Sequence, residues 1–178
     1  MMAANYILLT LGVLGAIDIL LYHSVSHGIR SHAESRWELV THSLRGPTYA
    51  VLFLLIPNFE PRGAWAVFVA LLLLIDVGIS IADFALERKS RAKLGGLPGG
   101  EYVLHMIMAM LFGAFVTLLT PYLFRGTVFD TALVPTDKFA PAWMRFTFAA
   151  FAIGVLASGL MDAYAALRLT QKPTIRSV

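Results

Sequence analysis

Histidines and carboxylates recur along this chain at helical spacing: His23 and His27; Glu34, Glu38 and His42; Asp76, Asp83 and Glu87; Glu101 and His105; then Asp162. Residues three or four apart share one face of a helix, so each group presents a stripe of nitrogen and oxygen donors. Mixed imidazole and carboxylate ligation suits iron or manganese best, then zinc. The chain has no cysteine, which excludes thiolate metal sites, iron–sulfur clusters and a disulfide framework. Four histidines with at least four carboxylates exceed the three or four ligands one zinc needs. The expectation is two divalent metal ions, iron first, with zinc or manganese as alternatives. The expected ligands are His23, His27, Glu38, His42, Asp83, Glu101, His105 and Asp162. Asp76, Glu34, Glu87, Arg30 and Arg45 are expected to support them or to bind substrate. No residue is assigned a catalytic role.

The elements carrying these stripes are apolar. The 178 residues are 58% hydrophobic and 14% charged, with mean hydropathy +0.73, which is not the balance of a soluble domain. A helix needs roughly 20 apolar residues to cross a bilayer. The pattern therefore predicts one all-α domain, 1–178, a membrane bundle of five transmembrane helices over 6–28, 34–57, 64–87, 101–124 and 142–169. The first lacks a basic leader and is expected to be retained. Gly28 should stop it, Ser31-x-x-Glu34 should cap the second helix, and Gly46-Pro47 should kink it. Gly12, Gly15, Gly154 and Ser158 are expected at close helix contacts.

Orientation follows from the basic residues, which sit in short loops rather than on a nucleic-acid surface. Arg88, Lys89, Arg91 and Lys93 crowd the loop after the third helix, Arg30 and Arg36 lie between the first two, and Arg168, Lys172 and Arg176 form a tail. Cytoplasmic loops carry such an excess. The N-terminus is therefore expected outside and the C-terminus in the cytoplasm, in a multi-pass protein of a bacterial inner membrane. Trp37, Trp65, Tyr102, Tyr122 and Trp143 fall near span ends, where aromatic belts form.

Depth then brings the chemistry together. At ~1.5 Å per residue, His23, His42, Asp83, His105 and Asp162 all fall near the inner surface, while Asp18 and Asp76 lie deeper. Ionisable groups within a membrane helix are costly and turn away from lipid, so a layer of them marks a functional site. Carboxylates and histidines delivered from facing helices resemble di-iron and di-manganese bundles in architecture alone, because Glu-x-x-x-His replaces their Glu-x-x-His. The expected function is a membrane oxidoreductase with a dinuclear centre acting on a lipophilic or quinone-like molecule, with an electron donor or a second copy as further partners. The alternatives are a b-type haem protein, a proton- or cation-coupled carrier, and a zinc-dependent hydrolase. His32 is expected to be a surface residue.

Overall fold

The computed structural model describes residues 1–170; Lys172 and Arg176 of the expected basic tail lie outside the described residues. The protein is mostly helical. Helix α1 (Met2–Ile17) runs without a break into a π-helical segment, Asp18–Ser26. Gly28 then turns the chain in the left-handed region, at φ 54° and ψ 41°, which glycine adopts without steric cost. Two 3-10 turns, Ile29–Ser31 and Ala33–Ser35, lead into α2 (Arg36–Leu55). The expected capping box is not formed: neither turn nor α2 begins with a side-chain cap, and Glu34 instead pairs with Lys93 at 2.7 Å. Pro47 lies inside α2, which continues as one helix through it.

Helices α3 (Ala64–Arg91), α4 (Gly99–Gly126) and α5 (Ala142–Thr170) follow. Short strands β1 (Phe59–Arg62) and β2 (Ala132–Pro135) pair antiparallel, with Glu60 opposite Val134, and tie two interhelical connections together. Gly63 sits beside this pair at φ 54°, where an added Cβ would come 2.7 Å from the Thr131 Cα, so only glycine fits.

Met2–Ser26, Ala64–Arg91, Gly99–Gly126 and Ala142–Leu169 are each long and apolar enough to cross a membrane. Only 17–28% of each apolar window is buried within the protein, so the remaining apolar surface calls for lipid. This is the build of a membrane protein. Helix α2 differs because it carries Arg36, Glu38, His42 and Arg45, and it packs along α5 and against α3. Its polar groups meet protein rather than lipid. Trp37, Trp65, Tyr102 and Trp143 are exposed, whereas Tyr122 packs edge-on against Phe139.

The bundle has an apolar half and a polar half. Leu8, Phe53, Val69, Phe115 and Phe148 form the apolar core towards the strand pair, with the Phe53 and Phe148 rings stacked at 5.6 Å. At the other end, α1 ends, α2 starts, α3 ends, α4 starts and α5 ends. Small residues set the contacts: an added Cβ on Gly46 would lie 3.1 Å from the Gly159 Cα, which locks α2 against α5. Gly12 meets the Phe151 ring as expected. Gly15 and Gly154 do not form close contacts, and both front open space.

Candidate metal centre

The π-helical segment decides which donors meet. In an α-helix residues five apart point to different sides; with i to i+5 hydrogen bonding they share one. The His27 N–H donates to the Tyr22 carbonyl at 3.0 Å in this pattern. Asp18 and His23 are thereby brought together, with His23 Nε2 3.3 Å from Asp18 Oδ2. Glu101 and His105, one turn apart at the start of α4, complete the group. His23 Nε2 lies 3.6 Å from Glu101 Oε1, and His105 Nε2 lies 3.2 Å from Asp18 Oδ2.

One donor atom from each of Asp18, His23, Glu101 and His105 lies within 4.8 Å of the others, and all four residues are buried. Ligands bound at about 2.1 Å in tetrahedral geometry stand roughly 3.4 Å apart, close to the three separations of 3.3, 3.6 and 3.2 Å in this group. His23 Nε2 is buried with no hydrogen-bond partner, and so are the second carboxylate oxygens of the group, Asp18 Oδ1 and Glu101 Oε2. Buried polar atoms are almost always paired, and three orphans in one cluster call for an explanation such as an ion. The residues therefore fit a metal.

A second grouping, His23, Glu38 and His42, shares His23 with the first. The His23 and His42 rings lie parallel at 4.5 Å between centroids. Around these groupings stand further charges. Arg91 is completely buried and donates to Glu38 Oε2 at 2.9 Å and to Glu101 Oε1 at 2.7 Å. Glu87 Oε1 approaches His105 Nδ1 at 3.1 Å, where it can fix the ring's orientation. His27 Nδ1 stands 3.1 Å from the Tyr22 carbonyl oxygen and 3.7 Å from Glu101 Oε2, at the margin of the first grouping.

The other expected ligands are held by arginines. Asp83 accepts from Arg45 Nη1 at 3.2 Å and from the Thr41 hydroxyl, and stands 3.4 Å from His42 Nε2. Arg45 also donates to Ser80, and its Nε lies 3.4 Å from Asp76 Oδ1. Asp162 accepts from Arg30 Nε at 2.6 Å, and Arg30 Nη2 donates to Ser158 at 2.8 Å. Neither Asp83 nor Asp162 belongs to the groupings whose donor atoms converge within 4.8 Å. Glu34 is outside the centre, at the surface with Lys93. Asp83→Asn is accordingly expected to keep bound metal and to lower the melting temperature, because it weakens an ion pair that neutralises Arg45. Elemental analysis and a melting curve on the same preparation check it; lost metal would make Asp83 a ligand.

Two members of the site, Asp18 and Arg91, lie outside the ligand set that helical spacing predicts. Asp18 is expected to lie deeper than the histidines, and only a five-residue step, foreign to α-helical periodicity, links it to His23. Arg91 is expected in the loop, yet α3 runs four residues past Glu87. The signal was present: Asp76, Ser80, Asp83, Glu87 and Arg91 step by four, three, four and four.

The charges give the balance. Asp18, Glu38, Asp76, Asp83, Glu87, Glu101 and Asp162 are all buried, and Arg30, Arg45 and Arg91 pair with members of this set. Seven carboxylates against three guanidiniums leave four formal negative charges, faced by the four imidazoles of His23, His27, His42 and His105. Isolated buried charge is too costly to leave uncompensated.

No protein-family model matches the chain, and neither the curated proteins nor the solved structures contain a significant match to it.

Proposed function

We propose that this chain is a membrane metalloprotein, an oxidoreductase with a His/carboxylate dinuclear centre that acts on a lipophilic substrate. The observation that carries the reading is the cluster of Asp18, His23, Glu101 and His105, four buried residues whose donor atoms converge and three of which retain an unpaired polar atom. The second ion position is His23, Glu38 and His42. Two imidazoles and two carboxylates at the first position favour iron or manganese, with zinc also served. An iron ion there would supply one-electron redox chemistry and Lewis acidity. The chain's own groups do the rest. Glu87 orients His105, Arg91 holds Glu38 and Glu101 at their positions, and the apolar half of the bundle keeps water from the centre's deep side.

Elemental analysis and an absorption spectrum of the detergent-purified chain test this. About two metal equivalents without a Soret band is the expected result; a Soret band would replace the reading with the haem alternative. The stacked His23 and His42 rings argue against that pair as axial ligands, since they meet face to face. The same charge deficit favours one rival, a carrier in which protons rather than metal ions offset the buried carboxylates. A metal-free protein would select this proton-coupled carrier.

The chain is proposed to cross the membrane five times, with the centre at the cytoplasmic side, the N-terminus outside and the C-terminus inside. Arg91 drops out of the loop count because it is buried, but exposed Arg88, Lys89 and Lys93 still mark that end. A cysteine introduced at Lys89, in a chain with no other cysteine, is expected to react with impermeant maleimide only after the cytoplasmic side is opened. Labelling in intact cells would invert the topology.

A further inference from the structure

A cavity of about 610 Å³ runs from the bundle's apolar half to the candidate centre, and residues of all five helices line it. Its size is that of a site for one small organic ligand, roughly 300–1,000 Å³. One end is aromatic and apolar, with Phe53, Phe112 and Phe151; at the other stand Asp18, His23, His42 and His105, the centre's own residues. Gly15 and Gly154 line it between α1 and α5, and a Cβ on either would meet nothing within 4 Å. The glycines leave width there. Leu20 and Met161 also line the cavity yet are 66% and 55% exposed, so it opens sideways onto the apolar surface of the bundle.

The polar wall specifies the head of the ligand. Arg30 and Arg45 both line the cavity, but Asp162 cancels the first, and Asp76 and Asp83 the second. An anionic head would find no free positive charge. A neutral oxygen acceptor would find donors: a guanidinium has five N–H groups, and the bonds to Asp162, Ser158, Asp83 and Ser80 use two apiece. Aromatic walls suit a flat ring, and the lateral opening suits an apolar tail.

We infer that this cavity binds a neutral, ring-headed lipid of the quinone class, its carbonyl oxygens towards Arg30 and Arg45 and its tail leaving past Leu20 and Met161. The choice of a redox-active ring rests on the oxidoreductase reading above; the shape, neutrality and lateral entry of the ligand do not. A decyl-substituted 1,4-benzoquinone, titrated into the detergent-purified full chain, tests it, with monoolein and oleate as competitors and metal counted in the same samples.

Saturable binding of one quinone per chain is expected, displaced poorly by either competitor. Gly15→Leu and Gly154→Leu should weaken it at least about tenfold by filling the cavity, with metal content unchanged. Gly78→Leu, a helix position that also faces open space but does not line the cavity, should bind as the parent does. No saturable quinone binding, equal competition by monoolein or oleate, or undiminished binding by both leucine variants would overturn the assignment. Quinone bound by a chain that holds no metal would sustain it and overturn the metal centre instead.

Discussion

Replacing His23 by alanine is expected to abolish both ion positions at once, taking bound metal from about two equivalents per chain to near zero. His23 is the one residue common to the two groupings, and its Nε2 is buried without a hydrogen-bond partner. Without this imidazole the first grouping keeps three ligands, one short of the four of a closed tetrahedral site, and the second keeps two. His105→Ala should cost only the first ion, because His105 belongs to the first grouping alone. His32→Ala should cost none: its ring lies on the Gly28 carbonyl, in the turn outside both groupings. Metal counted by elemental analysis on monodisperse protein checks all three. Equal metal in His23→Ala and His32→Ala would reject the centre.

Arg91→Met is expected to be the most destabilising single change at the polar end. The guanidinium is 0% exposed and holds two carboxylates, Glu38 and Glu101, which are themselves buried. Removing one partner of a buried charge network costs about 3–5 kcal/mol, because the charges left behind have lost both water and counter-ion. A solvated loop arginine would cost within about 0.5 kcal/mol. Denaturant unfolding in detergent distinguishes these. Adding Glu38→Gln and Glu101→Gln to Arg91→Met should recover part of the loss, since neutral amides need no counter-charge. A melting curve unchanged by Arg91→Met alone would return this residue to the loop role that its sequence neighbourhood implied.

The sequence by itself determined the helices and the layer. Apolar runs of about 20 residues can satisfy their backbone only as helices in lipid, and the helical step places His23, Glu38, His42, Glu101 and His105 on single faces. Alternating helix direction then collects those faces at one end of the bundle, where the structure has them. Which donor meets which was decided by tertiary structure. Periodicity gives a residue its face and depth, but pairing across helices depends on rotation about each axis and on interaxial distance, which no local pattern encodes. Asp83 and Asp162 share the expected depth with the histidines, yet Arg45 and Arg30 reach them first. Asp18 joins His23 only because the helix loosens to π geometry at that point, and Arg91 enters only because α3 runs one turn further than its charges suggested. Gly46 and Gly159, not Gly15 and Gly154, became the close contact because α2 and α5 pack along each other. That pairing leaves Gly15 and Gly154 fronting the cavity beneath the polar layer.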